Sequence, residues 1–307
     1  MSIYCRIVVA ALVALLSSCG RAPLINVVKD FQTASAVAVP AIRQYFLEIN
    51  KVERDAVIDG KVARRERIDL VQIDESRLIT QDDLKARLDA LTALMKYGDL
   101  LAKLASTNVV ESVTGSIDEL NTSVTTLQTD LTRLSNPAAA ANKKFSDASG
   151  AFAGVAKIIA TAALNAKIDE ALINSIKKAD QPVRDLTAVL KDDLRAAVAA
   201  RRISVSEARV NATDRFNEEL RRTPSPDAMR LVTFGNEIKA AELRWELFNS
   251  TSPSDLLDGF VTAHKALVKA AESPKNPSAL AAVVSAIDSF TTNVKAFAAL
   301  VNALEKL

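Results

Sequence analysis

Residue types that support disulfide, metal or redox chemistry are almost missing from this chain of 307 residues. It has two cysteines, Cys5 and Cys19, and one histidine, His264. If the segment before Cys19 is removed, a single cysteine remains, which excludes a disulfide or a cysteine-based metal site within the chain. The chain also has little glycine, proline and aromatic character, with eight glycines, nine prolines and 5% aromatic residues. Good helix formers dominate the rest, and this composition predicts an all-α fold.

An excess of charge of one sign is missing as well. The chain has 39 Lys and Arg residues against 37 Asp and Glu residues. A nearly neutral chain has no electrostatic footprint for nucleic acid, so we expect no nucleic-acid partner. The apolar run at residues 7–16 has ten residues, whereas a membrane-spanning helix needs about 20. This run is therefore too short for a permanent transmembrane segment.

The amino-terminal segment resembles the processing signal of bacterial lipoproteins. Arg6 provides a positive charge, residues 7–16 form a short apolar core, and the tripeptide Leu-Ser-Ser precedes Cys19. This order is similar to a lipobox, although the resemblance covers only the first 20 residues. It implies a thioether-linked diacylglycerol on Cys19, removal of residues 1–18 and acylation of the new amino terminus. The open alternative is an ordinary secretory signal followed by a coincidental cysteine.

The resemblance also implies a location. Gly20 follows Cys19, and the absence of an aspartate there favours the outer membrane in the enteric lipoproteins that the signal resembles. Several acyl chains on one residue hold a protein firmly, whereas a single chain gives marginal attachment. Residues 19–24 would then be the lipidated cysteine and a short tether of at most about 17 Å. We expect a lipid-anchored envelope protein that faces the periplasm close to the membrane.

Apolar residues recur at helical spacing along most of the remaining chain. We expect long helices over residues 25–222, and shorter helices over residues 223–307 that pack on the same bundle. The first helical stretch is predicted to reach the mid-seventies. Pro40 should kink or restart it, because proline has no amide hydrogen to donate. Residues 81–135 are expected to form one helix or two.

Capping residues mark the expected helix boundaries. Thr80 is predicted to cap the helix that follows it. At four later positions a serine or asparagine stands directly before a proline, which suits the first helical position because its missing amide hydrogen is not needed there. Another break is expected at Asp180 to Pro182. The four pairs begin at Asn136, Ser225, Ser252 and Asn276, and the predicted helices span residues 137–178, 182–222, 226–249, 253–273 and 277–305.

Heptad spacing of apolar residues is clearest in two stretches, residues 113–134 and 280–304. Short turns between long helices make consecutive helices antiparallel neighbours. The pattern therefore predicts an elongated antiparallel helical bundle with coiled-coil-like long helices.

Groups that carry catalysis are scarce. The residues three and four positions from His264 are apolar, and we interpret this histidine as structural or partly exposed. Adjacent acids on a helix point about 100° apart, so three acid pairs are interpreted as solvated surface rather than as a site. We recognise no phosphate-binding glycine loop, nucleophile elbow or metal-ligand spacing, and we expect no catalytic residue, cofactor or metal. The acid pairs are Asp82-Asp83, Asp192-Asp193 and Glu218-Glu219.

Residues 150–166 form the most apolar stretch after Cys19, and they have two interpretations. Gly150 and Gly154 have the spacing that lets helices approach closely. The stretch is either a central helix packed on several sides, which we favour, or a membrane-inserting element like those of helical pore-forming proteins.

Three basic clusters also have two interpretations. They either contact anionic headgroups or cell-wall acids, or they form weak ion pairs with nearby acids such as Glu66, Glu218 and Glu219. We favour the ion pairs. The clusters are Arg64-Arg65-Arg67, Arg201-Arg202 and Arg221-Arg222.

These features predict a non-enzymatic, lipid-anchored periplasmic protein that serves as a scaffold or partner-binding module. Its expected contacts are the membrane, through the lipid on Cys19, and an envelope protein along its helix faces, with no small-molecule substrate. The alternative is a membrane-active, pore-forming-like protein that uses residues 150–166. An enzyme would require a cleft in which His264 meets at least two polar groups from other helices.

Overall fold

A computed structural model describes residues 21–106, 113–165, 168–222, 224–250 and 252–306. The predicted signal over residues 1–18 and the predicted lipidation of Cys19 lie outside the described residues. Within these ranges the chain forms helices and no strand, which confirms the all-α helical bundle. The helices are α1 (Arg21–Arg64), α2 (Leu70–Glu75), α3 (Gln81–Ser106), α4 (Thr114–Leu131), α5 (Ala140–Asn165), α6 (Ile168–Leu220), α7 (Ala228–Ser250), α8 (Pro253–Glu272) and α9 (Pro277–Leu304).

Residues 81–135 form two helices, α3 and α4, which pack against each other as antiparallel neighbours. Lys85 near the start of α3 pairs with Asp130 near the end of α4. Lys96, further along α3, lies 2.6 Å from Glu119 on the first half of α4. Residues 107–112, which connect the two helices, are outside the described ranges.

The heptad positions form the core as predicted. In the first seam, Ile117, Leu120, Val124 and Leu127 are buried, and in the last helix Ile287, Phe290, Val294 and Phe297 are buried. Val284 departs from its seam, since 46% of its surface is exposed. Burying a leucine or phenylalanine side chain contributes about 1.5–3 kcal/mol to stability. The buried heptad residues therefore account for much of the stability of the contacts between helices.

Aromatic contacts show that α1 and α6 run in the same direction. Phe31 on α1 lies near His264, and His264 lies beside Asp180 on α6. Tyr45, further along α1, contacts Phe248, whose ring lies under Arg201 on α6. The carboxyl ends of both helices therefore point to the same end of the molecule. With 53 residues, α6 is about 80 Å long.

The proline positions differ from the prediction. Pro40 lies inside α1 and Pro182 lies inside α6, so the restart at Pro40 and the break at Asp180 to Pro182 are wrong. A proline in a helix removes one backbone hydrogen bond and crowds the preceding turn. Both helices nevertheless bury long apolar faces, and packing of such a face supplies most of the stability of a helix in a protein.

Two of the predicted caps are confirmed. The Thr80 hydroxyl accepts a hydrogen bond from the Asp83 amide at 3.3 Å. The Asn276 side chain accepts one from the Ser278 amide at 3.0 Å, and α9 begins with proline as expected.

Other predicted helix starts are wrong or only partly right. Helix α5 begins at Ala140 rather than at residue 137, and α7 begins at Ala228 rather than at residue 226. Asp227, not Ser225, caps α7, because its carboxylate accepts hydrogen bonds from two amides of the first turn. Helix α8 does begin at Pro253, but Ser252 makes no capping hydrogen bond.

The start of α1 overlaps the segment assigned to the tether. Helix α1 begins at Arg21, inside residues 19–24, and Leu24 is already buried in the core. The first described residues thus belong to the bundle.

Candidate functional site

A buried polar pair lies at the centre of the bundle. Tyr97 of α3 and His264 of α8 have no exposed surface, and the Tyr97 hydroxyl lies 2.9 Å from His264 Nε2. The ring of Phe31 lies 6.1 Å from the imidazole, and the ring of Phe152 lies edge-on to Tyr97. Aromatic rings from α1 and α5 thus surround the pair.

Asp180 of α6 is the third polar member of this cluster. Its Oδ1 lies 3.8 Å from His264 Nδ1, which is too far for a hydrogen bond. Its Oδ2 pairs with Arg184 at 2.8 Å. Burial lowers the pKa of His264, and Asp180 acts in the opposite direction. The lowered pKa favours the neutral imidazole, because a charged imidazolium would lose its hydration.

An enzyme was expected to need a cleft at His264 and at least two polar groups from other helices beside it. The cluster meets the second requirement and not the first. His264 does meet polar groups from two other helices, Tyr97 and Asp180. However, its imidazole has no exposed surface, so a reactant reaches it only if helices separate. The interpretation of His264 as partly exposed is wrong, and full burial agrees with a structural role. The sequence contains no local signal for its partners, because they lie 167 and 84 positions away along the chain.

A second buried cluster surrounds Arg87 on α3. Its guanidinium donates to Asp193 at 2.7 Å, to the Asp83 carbonyl at 2.9 Å and to Asn142 at 3.1 Å. It also lies 4.9 Å from the centre of the Phe145 ring. Burial raises the pKa of Asp193, and Arg87 opposes that change. Arg87 thus joins α3, α5 and α6.

The acid pairs are only half on the solvated surface that the sequence predicts, since Asp82, Asp192 and Glu218 are exposed. In each pair one carboxylate is buried or nearly so and has polar partners, because neighbours 100° apart on a packed helix do not share one face. Asp83 accepts from Ser135, Asp193 from Arg87, and Glu219 from the Asp227 amide. These acids cap loops and connect helices.

The basic clusters likewise contain both surface residues and a buried residue. Arg64 pairs with Glu66 at 2.8 Å and Arg222 lies 3.5 Å from Glu219, as expected for surface ion pairs. Arg201 differs, since it is fully buried with its guanidinium above the Phe248 ring. Its burial departs from the surface position expected for the basic clusters.

An open cavity of about 240 Å³ borders the Arg87 cluster. Its polar lining consists of Thr80, Asp83, Arg87 and Asp193, and these groups already bond to one another or to neighbouring residues. These four side chains therefore serve the fold, and the cavity is a gap beside a structural network.

Helix α5 contains most of the apolar stretch at residues 150–166. Phe152 and Ile159 are buried, Val155 is half-buried, and Ile158 is 52% exposed. A Cβ atom built on Gly150 or Gly154 would meet nothing within 4 Å, so the predicted close helix approach at these glycines is wrong. The close approach occurs instead at Gly259, where a Cβ atom would lie 3.0 Å from the Phe290 ring.

The second half of α6 and helix α7 form an antiparallel hairpin. Arg209 pairs with Glu242 at 2.6 Å, and Arg215 pairs with Glu237 at 3.1 Å. Arg209 also lies over the Trp245 ring. Phe248 is the only described residue of α7 that is fully buried.

The outer stripe of α7 is an exposed, partly apolar surface that the sequence analysis missed. Exposed residues follow one another at intervals of three and four residues, so they lie on one face of the helix. Met229 is 80% exposed, Val232 66% and Leu243 44%. The spacing in the sequence was a usable signal for this stripe. Its six members are Met229, Val232, Asn236, Lys239, Leu243 and Glu246.

The described residues contain no group of three or more histidine, cysteine, aspartate and glutamate side chains arranged to hold a metal ion. In the same residues, no helix has both the length and the apolar character needed to cross a membrane. The fold defines the class of protein, an all-α helical bundle. Comparison with protein family models, curated proteins and solved structures finds no match.

Proposed function

We propose that this protein is a lipid-anchored, non-enzymatic scaffold of the bacterial cell envelope, whose exposed helix faces bind a partner protein. The observation that carries the proposal is the outer stripe of α7, where large apolar side chains remain exposed on a helix that packs mainly along α6. Exposed apolar side chains grouped on one face are typical of binding surfaces.

The anchor rests on the sequence of the first 20 residues. A diacylglycerol on Cys19, with cleavage before it, would place the lipid two residues before the start of α1 at Arg21. The amino-terminal end of the bundle would then lie close to the membrane, which we propose is the outer membrane with the protein facing the periplasm. Because α1 and α6 run in the same direction, the α6–α7 hairpin lies towards the opposite end of the molecule.

The burial and mutual pairing of the potentially reactive side chains support a non-enzymatic role. His264 is enclosed by aromatic rings, and Arg87 and Asp193 are bonded to each other. Such buried, mutually paired groups hold helices in register, and they do not face a substrate.

The alternative, a membrane-active protein that uses residues 150–166, draws on the exposed Ile158. The burial of Phe152 and Ile159 weighs against it, because inserting this helix into a bilayer would first require these side chains to leave the core. If the acyl-free protein caused liposomes to leak, the membrane-active function would be favoured over the scaffold.

Cell fractionation of a Cys19→Ser variant tests the anchor. We expect the parent chain in the outer-membrane fraction and the variant in the soluble periplasmic fraction or retained unprocessed, because the serine cannot form the thioether. A Cys5→Ser variant is the matched control and should remain in the outer membrane. Membrane retention of a correctly exported and processed Cys19→Ser chain would contradict the proposal.

A further inference from the structure

We propose that the outer stripe of α7 binds a second copy of this chain, with the two α7 helices antiparallel. The inference rests on the proposed function only in that it names the partner of the proposed binding surface. The stripe extends from Met229 to Glu246, which is about 26 Å of helix. It is thus long enough to form a two-helix seam.

The spacing of the stripe is that of a helix contact face. Its members follow one another at intervals of three and four residues, which is the spacing of the contact face in a coiled coil. The other faces of α7 already have partners, since Glu237 and Glu242 pair with α6 and Phe248 packs against Tyr45. The stripe is therefore a contact face without a contacting helix in the described chain.

The inner members of the stripe are arranged symmetrically about its middle. Val232 and Leu243 lie at equal distances from a point between residues 237 and 238, and so do Asn236 and Lys239. In an antiparallel pair centred on that point, Val232 of each copy faces Leu243 of the other. Asn236 of each copy faces Lys239 of the other. Met229 of each copy faces Glu246 of the other. The apolar match is therefore made by Val232 and Leu243, and the lysine meets an amide.

The charges near the two ends of the stripe also bear on the orientation. Arg230, which flanks the stripe at one end, is exposed and already pairs with Glu219 of its own chain at 3.3 Å, and Glu246 is exposed at the other end. The antiparallel arrangement brings Arg230 of one copy close to Glu246 of the other, one residue away from direct opposition. A parallel arrangement would place Lys239 on Lys239 and Glu246 on Glu246, and like charges in direct opposition are unfavourable. The charges therefore select the antiparallel pair.

This pairing is compatible with two copies on the same membrane. A twofold axis along the membrane normal, through the middle of the seam, lets both molecules lie along the surface with their amino-terminal ends facing outwards. Each copy presents the same surface to the other, so the contact closes as a dimer rather than growing into a fibre.

Disulfide cross-linking of the full chain in its membranes tests the orientation. Val232→Cys and Leu243→Cys chains are expressed together and separately, and a mild oxidant is added. The antiparallel pair predicts a cross-linked dimer only when both variants are present. In that pair, the two copies of position 232 lie about 16 Å apart along the axis, beyond the reach of a disulfide. The parent chain, which has only its native cysteines, is the control.

The oligomeric state of the detergent-purified full chain supplies the second measurement. We expect a concentration-dependent dimer by light scattering, and an increase of about tenfold or more in its dissociation constant for Leu243→Asn. Ile203→Asn is the matched control, because Ile203 is 63% exposed on the outer face of α6 and should leave the dimer unchanged. Unchanged circular dichroism of both variants excludes misfolding.

Any of three results would overturn the inference. One is a monomer at all concentrations together with no cross-link in the mixed cells. Another is cross-linking of either single variant as strongly as the mixture, which would indicate a parallel or random contact. Cross-links from the stripe to a different envelope protein would also overturn the second copy as occupant, and would leave the proposed scaffold function standing.

Discussion

His264 is fully buried, and burial lowers the pKa of its imidazole, so this residue contributes to the response of the protein to mild acid. Its Nε2 lies 2.9 Å from the Tyr97 hydroxyl, and its Nδ1 lies 3.8 Å from Asp180. Neither neighbour supplies the hydration that an imidazolium would lose on burial. The folded protein therefore binds a proton at His264 less readily than the unfolded chain does.

This difference predicts a loss of stability in mild acid. Because the pKa of His264 is lowered on folding, its contribution is complete above the unfolded pKa of about 6.5 and is lost as the pH falls below it. We expect the free energy of unfolding to fall by up to about 1.4 kcal/mol per pH unit below that point. Urea titrations at a series of pH values measure it.

A His264→Phe variant is the control for that titration. The chain has no other histidine, so the variant should lose the pH dependence between pH 7 and 6, although it is less stable throughout. Asp193 cannot replace His264 in this role, because its raised pKa produces a slope of opposite sign. An unchanged slope in the variant would show that another group is responsible.

Two glycine-to-alanine substitutions test the packing at the residue scale. Gly259→Ala should destabilise the protein by about 1–3 kcal/mol, because the new methyl group would lie 3.0 Å from the Phe290 ring of the neighbouring helix. Gly154→Ala should stabilise it by about 0.5–1 kcal/mol, since its surroundings are open and alanine favours the helix. Urea midpoints check both, and equal effects of the two substitutions would refute the packing described for α8 and α9.

At the scale of elements, substitutions at the start of α7 test which residue caps this helix. Asp227 accepts hydrogen bonds from the amides of Met229 and Arg230. Asp227→Ala should therefore cost about 1 kcal/mol and speed hydrogen exchange in the first turn of α7. Ser225→Ala, at the position that the Ser-Pro pattern favoured, should change neither. Equal costs for the two variants would mean that the described cap is wrong.

Local patterns predicted the type of the elements better than their ends. The seams of α4 and α9 were predictable because heptad spacing is a property of neighbouring residues, and Thr80 and Asn276 cap their own helices. Helix continuity at Pro40 and Pro182 was not predictable, because it depends on the tertiary packing that offsets one missing hydrogen bond.

Side-chain networks were beyond prediction for a different reason. Arg87 meets Asp193 and Asn142 from residues 106 and 55 positions away, and a single sequence does not specify which distant helices become neighbours. The acid pairs illustrate the consequence. Their residue types suggested solvent exposure, whereas packing turned one member of each pair, such as Asp83, towards a partner.

At the scale of the whole molecule, the chain divides into a well-packed body and a weakly packed hairpin. The body contains the heptad seams, most of the aromatic contacts and the two buried polar clusters. In the hairpin, α7 has one fully buried residue among those described, Phe248, and its described links to α6 include three ion pairs. Regions with few buried apolar contacts open most easily and are available for binding.

Site-specific photo-crosslinking in intact cells tests the scaffold account most directly. A photoreactive residue at Val232, on the outer stripe of α7, should yield a covalent adduct with a protein in the membrane fraction. The same residue at Ile158, which is 52% exposed on α5, should yield none. The account predicts adducts from Val232 alone, and it would be contradicted by equal adducts from both positions or by adducts from Ile158 only.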